Sequence, residues 1–342
     1  MKVDELLARM RQLDPDGMAQ WTTPAELRLV RTTLRALGLS IAERTDQPLV
    51  VSGLGTFRHR KPEPGTAGAD RPKVLYTPAL AAAQPWAAVD TAAWFQALKS
   101  TERPLIDPQG RFIVLFSAKA ACSSVVIWFL HQIGLAAEAR AVSDWPHHYR
   151  IDHYYQRPDY LAARQAVQPG AVTVLRVVRD PVERAASSFR HALGLSYARD
   201  SIRTKLGIDT DLDGLSFERY IDFLELEDLN YCDPHHRRQK HVLESLRAPD
   251  VVINASRQDL FVELNAFERR LGLTHTDFPA LAWIHELQAG RVPHNVATPG
   301  DAYRLVLTRE QAQRGPWPQG LITADARRRL ERLYAEDVAL YA

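Results

Sequence analysis

Cysteine is nearly absent: Cys122 and Cys232 are the only two in 342 residues, too few for a disulfide framework. Excess charge is also lacking. A formal net charge of +2 argues against a nucleic-acid or anionic-membrane surface, while leaving room for a local basic pocket. The N-terminal stretch MKVDELLARMRQLDPDG has no apolar core of an export signal, so a cytoplasmic location is the expectation. No G-x-x-x-x-G-K-[ST] occurs, which excludes a Walker loop, and Gly53-Leu54-Gly55 reads as a hairpin turn rather than a nucleotide loop. No Cys or His pair at zinc spacing accompanies His147, His148 and His153, so no metal site is expected. Internal repeats are missing too.

What is present suits one large α/β domain with an attachment: 46% of residues are hydrophobic and 25% charged. Residues 1–107 read as an N-terminal extension of unknown role. Leu27, Val30, Leu34 and Leu37 recur at helical spacing after Thr22-Thr23-Pro24, predicting a helix from Ala25 to Leu37. Pro48 to Phe57 predicts a short strand with a glycine turn, and KPEPGTAGADRP at 61–72 a loop or linker. A helix at Asp90 to Leu98 and a turn at Pro108 to Gly110 lead into residues 108–342, where the chemistry lies.

Its centre is FIVLFSAKAACSSVVIWFL, residues 112–130. The apolar run Phe112 to Phe116 predicts a buried strand, the small residues around Lys119 a tight loop, and Ser123-Ser124 the start of a buried helix. A membrane span is disfavoured by Lys119 in the middle and by the flanking serines. Such a loop aims backbone N–H groups, a helix N-terminus and one cation at a single point, so an anion of phosphate type is its natural occupant. A plain core strand and helix with an incidental lysine is the competing reading.

A second unit follows at AVTVLRVVRDPVERAASSFRHAL, residues 171–193. The run Val172 to Val178 predicts a strand, and Pro181 the first turn of a helix reaching about Leu193. Arg179 therefore lies at a strand's C-terminal edge, where open α/β sheets bind ligands, and Ser187 lies within reach of the same anion. An ordinary Arg–Asp surface pair is the alternative.

Taken together, KAACSS and RDPVERAASSF resemble the 5′-phosphosulfate and 3′-phosphate elements of the carbohydrate sulfotransferases, the group that includes chondroitin- and heparan-type enzymes. The family's second element, R-[DE]-P-x-x-R-x-x-S, is matched from Arg179 to Ser187. LNYCDPHHRRQ at 229–239, the strand and helix expected in 251–273, and the closing LERLYAEDVALYA resemble later segments. Ala118 stands where relatives carry proline, Asn254-Ala255-Ser256 where they often carry an acidic residue, and 293–303 matches only in part.

The resemblance implies an α/β fold of three layers, P-loop-like, with a mainly parallel sheet. It implies sulfuryl transfer from 3′-phosphoadenosine 5′-phosphosulfate (PAPS) to a hydroxyl of a carbohydrate or glycolipid, with no metal. Lys119, Ala120, Ala121, Cys122, Ser123 and Ser124 would hold the 5′ end of the donor, and Arg179 and Ser187 the 3′-phosphate. Lys119 would also neutralise the leaving group. A histidine would take the acceptor's proton: His148 first, His153 second, His147 third, with His235 and His236 as rivals. A small-molecule kinase and a non-catalytic nucleotide- or glycan-binding module are the alternatives.

Overall fold

The computed structural model describes residues 89–100, 102–195, 197–289, 301–315 and 317–341, with the strand segments 49–51, 55–60, 73–78 and 295–296 and residue 33. The chain divides into two units, Met1–Asp90 and Thr91–Ala342. In the first, β1 (Leu49–Val51), β2 (Gly55–Arg60) and β3 (Lys73–Pro78) form an antiparallel sheet in that order. Leu49 pairs with Phe57 and Val51 with Gly55, the register of the expected hairpin. The expected linker 61–72 and, apart from residue 33, the expected helix 25–37 lie outside the described residues.

The second unit begins with α1 (Thr91–Ala97), so the division falls after Asp90 and not after residue 107. The reason is packing: Trp94 is fully buried and its indole N–H donates to Val167 O at 3.1 Å, while Leu105 and Ile106 form β4 (Leu105–Ile106). Then come β5 (Phe112–Phe116), α2 (Cys122–Gln132), α3 (Ala136–Val142), α4 (Pro146–Asp152), α5 (Pro158–Ala166), β6 (Thr173–Val178) and α6 (Pro181–Leu195). Next follow α7 (Arg199–Leu206), α8 (Phe217–Glu225), β7 (Val251–Asn254), α9 (Leu260–Leu271), α10 (Ala282–Ala289) and β8 (Asn295–Val296). The chain ends with α11 (Arg309–Arg314), β9 (Trp317–Pro318), α12 (Ala324–Leu333) and α13 (Ala335–Tyr341). The closing segment is thus two helices, parted at Tyr334, whose φ of −104° and ψ of 32° leave the helical range.

The architecture is α/β around a mixed four-stranded sheet ordered β4-β5-β6-β7. β5, β6 and β7 run parallel, and the short β4 pairs antiparallel on the outer side of β5. Both faces are covered, which explains the near-continuous apolar strands. Phe112 meets Trp128 of α2 and Phe267 of α9 within 6 Å, and Glu268 of α9 ties the same elements by accepting from Trp128 Nε1 at 2.7 Å. Arg176 lies on the opposite face, ion-paired to Glu244 at 2.9 Å with its guanidinium over the Tyr341 ring of α13. A second core, built from α6, α8 and α12, surrounds Phe189, Tyr220 and Leu330. No helix among the described residues is long and apolar enough to cross a membrane.

Candidate functional site

β5 and β6 are parallel neighbours, so their C-terminal ends present two loops at one edge of the sheet. Between them opens a cleft of about 1620 Å³, above the roughly 300–1,000 Å³ usual for small-molecule sites. Among the described residues of its wall, cations outnumber carboxylates six to four, with four histidines between them.

The first loop is strained in a way that suits an anion. Lys119 and Ala121, both non-glycine, hold φ values of 66° and 56°. Each such residue costs on the order of 1–2 kcal/mol, and alternating handedness turns successive N–H groups toward one concavity. Ala121 is the N-cap of α2, and no side chain caps that helix. The first N–H groups of α2 are therefore left to the cleft.

Ala118 does not itself preset the loop's shape; Arg184 holds it. Fully buried, Arg184 donates from Nε to Ala118 O at 3.0 Å and from Nη2 to Arg237 O at 2.6 Å, so one guanidinium staples the loop to the segment 234–237. Ser117, Arg176 and Gln239 form a second staple: Arg176 Nη2 donates to Ser117 Oγ at 2.8 Å, and to Gln239 O.

The second loop is built around Asp180, whose Oδ1 accepts from Val182 N at 2.9 Å and Glu183 N at 3.0 Å. That explains the Arg-Asp-Pro order: aspartate caps, proline opens the helix, and the preceding arginine stays at the sheet edge. Gln239 fixes Arg179 through its backbone, donating to Arg179 O at 2.8 Å and accepting from Arg179 N at 3.0 Å. The Arg179 side chain lines the cleft and makes a long 3.5 Å contact to Glu183, whose carboxylate also accepts from Ser256 at 2.7 Å. Arg179 thus pairs with Glu183, four residues on, and not with the adjacent aspartate.

Lys119, Ala121, Cys122, Ser123, Arg179 and Ser187 all line this one cleft. Ala120 and Ser124 are buried beneath the loop and helix start and do not line it. Lys119 is near enough to both walls to act electrostatically on Cys122 and on His191.

The histidines fall differently from expectation. Successive helical residues point about 100° apart, and α4 turns His147 inward. His147 is 8% exposed, with Nε2 within 3.3 Å of Ser123 Oγ. His148 is exposed and meets Ser143 Oγ at 3.0 Å, while exposed His153 stacks on Tyr149. Neither lines the cleft. His235 does: its Nδ1 lies 2.7 Å from Asp233 Oδ1, and its ring sits 4.2 Å from that of His191, also in the wall. Burial works against the ionised Asp233, but His235, through side chain and amide, holds it below the usual carboxylate range. Burial, with Lys119 and His235 nearby, pulls His191 down to about 3, so this ring is neutral. His236 is buried, brought down to about 4 chiefly by that burial, and does not line the cleft.

Three supports of the site lay hidden in the sequence: Arg176 inside an apolar run, Gln239, and Asp337. Asp337, fully buried in α13, accepts from Gln239 N at 2.8 Å and Lys240 N at 3.2 Å. Its neighbour Glu336 pairs with Lys240 at 2.7 Å. The charges of Arg176 and Asp337 were the available signal, since buried charges are kept only where they are paired, whereas the neutral Gln239 gave none.

Both cysteines are free thiols. Among the described residues no group of three or more His, Cys, Asp or Glu side chains is placed to hold a metal ion. No family model, curated protein or solved structure matches the chain.

Proposed function

We propose that the protein is a sulfotransferase that moves a sulfuryl group from PAPS to a hydroxyl of a carbohydrate acceptor. The observation that carries this reading is the convergence of two anion-suited loops, Lys119 to Ser123 and Arg179 to Ser187, on one basic cleft at the C-terminal edge of a parallel sheet. A donor with an anion at each end of its ribose needs one such site per end, and the two loops offer one each; a P-loop-like, three-layer sulfotransferase fold is part of this proposal.

In this reading the N–H groups at the start of α2 and the Ser123 hydroxyl hold the 5′ end. Arg179 and Ser187 hold the 3′-phosphate and so favour this donor over ATP. The acceptor oxygen attacks sulfur in line as the bond from sulfur to the 5′-phosphate oxygen breaks. Lys119 neutralises the charge that appears on that oxygen. The base moves from the expected His148 to His235: with Nδ1–H given to Asp233, Nε2 is free to accept the acceptor's proton, and Asp233 stabilises the imidazolium.

The test is calorimetric titration of the full chain with adenosine 3′,5′-bisphosphate, adenosine 5′-phosphate and ATP, followed by transfer of labelled sulfate to a panel of glycans. The bisphosphate is expected to bind tightest, and Arg179→Ala to weaken it while hardly changing binding of the 5′-phosphate. Preference for ATP would favour a kinase instead, and binding without transfer to any acceptor a non-catalytic module.

A further inference from the structure

Donor binding gives the Cys122 side chain no task, yet the residue is placed as a reactive thiol. It is the first residue of α2, which no side chain caps, and it lines the cleft, part-exposed. A thiolate there faces unpaired N–H groups and the positive end of a helix. The charged or titratable groups that face it are Lys119, from its own loop, and His147, brought in by α4. His147 adds an independent sign: its ring is more than nine-tenths buried in the cleft wall, and its Nδ1 has no hydrogen-bond partner. A buried ring nitrogen left unpaired costs free energy, which a polar group reaching this ring would relieve; Nε2 of the same ring already lies against Ser123 Oγ. Burial by itself would raise the Cys122 pKa, but His147, through charge and hydrogen bond, and Lys119 bring it down to about 5. Cys232 is the internal contrast: burial and Glu227 push it up to about 12, and it does not line the cleft.

We propose that Cys122 is a modification site, a thiolate that hydroperoxides oxidise to the sulfenic acid, closing the anion loop until a dithiol reductant restores it. The sulfur attacks the outer peroxide oxygen; the O–O bond breaks, an S–O bond forms, and the departing hydroxide or alkoxide takes a proton from water. Sulfur loses two electrons and the peroxide gains them. A dithiol later removes the oxygen as water, becoming a disulfide as the thiol is regenerated. The new oxygen enters the loop's concavity, on the side of Cys122 that His147 and Lys119 influence. Closure of donor binding rests on the sulfotransferase reading, whereas the thiol chemistry does not.

The experiment alkylates the full chain with iodoacetamide across pH 4–9 and traps peroxide-oxidised thiol with dimedone, reading each cysteine peptide by mass spectrometry. At pH 6, Cys122 holds roughly 300-fold more thiolate than an ordinary thiol, offset roughly 40-fold by weaker nucleophilicity, for a net gain of about 5- to 10-fold. Its rate is expected to level off by about pH 6, and His147→Gln to push that plateau to higher pH. Peroxide is expected to give a dimedone adduct on the Cys122 peptide, absent in Cys122→Ser. A Cys122 rate that keeps climbing to pH 8.5, no faster at pH 6 than N-acetylcysteine, overturns the proposal; this wild-type profile stands even if His147→Gln does not fold. Adenosine 3′,5′-bisphosphate is expected to slow the labelling. Fast labelling that the bisphosphate leaves unchanged supports the thiol site and removes the donor reading.

Discussion

Lys119 and His235 carry the proposed chemistry at the scale of single residues. Lys119→Ala is expected to lower sulfate transfer at least about 10²-fold, because charge on the leaving oxygen goes unneutralised in the transition state. Lys119→Arg should rescue only in part, a planar fork replacing a point charge in a tight loop. Turnover by folded variants, with melting as the control, decides this. A second prediction separates the histidines. His235→Ala should cut kcat by roughly 10²- to 10⁴-fold with donor affinity nearly unchanged, as expected for a general base. His148→Ala should be close to wild type, because its ring is exposed and meets Ser143 rather than the cleft. A variant pair with the opposite ranking would return the base to α4.

Among the elements, the strand–loop–helix from β5 to α2 holds the strain. Ala121 pays a left-handed φ of 56° that glycine adopts freely, so Ala121→Gly is expected to stabilise the fold by about 1 kcal/mol. Bisphosphate binding should survive, because the contacts offered there are backbone N–H groups and not the Ala121 side chain. Urea unfolding and titration of the same variant check both halves; a destabilised variant would mean that the methyl group, rather than the backbone, holds the loop. The Arg184 staple makes the loop's shape a property of α6 as much as of its own sequence.

Two predictions belong to the whole molecule. A chain beginning at residue 91 should fold cooperatively, whereas one beginning at 108 should not. The shorter chain loses the fully buried Trp94 and Leu98 and the β4 partner of β5, a loss of several kcal/mol at about 25 cal/mol per Å² of apolar surface. Circular dichroism melts of the two fragments give the answer. The second concerns acid. His241 uses both ring nitrogens while neutral, with Nε2–H donating to Glu102 O at 2.6 Å and Nδ1 accepting from Leu243 N at 3.1 Å. Burial, helped by Arg176, brings it down to about 4 against the Glu102 carbonyl and Glu244. The unfolded chain therefore binds the proton more readily. Its contribution is fully present above the unfolded value near 6.5 and is lost as pH falls from there to about 4, roughly 3 kcal/mol in all. His191 and His236 shift in the same direction, while Asp337, raised chiefly by burial, works oppositely at lower pH. Urea unfolding at pH 7, 5.5 and 4 should show this decline, and His241→Asn should flatten it.

What the sequence determined by itself was local. Short, β-branched or aromatic apolar runs bounded by turn residues read as strands, so β5 and β6 were legible within a residue, and Pro181 marked the first turn of α6. The two strand–loop–helix patterns predicted two separate anion-suited loops, and only the family resemblance joined Lys119, Ser123, Arg179 and Ser187 on one ligand; the structure lines one cleft with all four. The tertiary structure decided everything that depends on side chains distant along the chain. The rotation of α4 that turns His147 inward and His148 outward follows from what the helix packs upon, and adjacent histidines look alike as letters. The pairing of Asp233 with His235 was too short-range to distinguish from a turn. Arg176, Arg184, Gln239 and Asp337 meet across separations of about fifty to a hundred residues, where no periodicity reaches and only the closing of the core brings donor to acceptor.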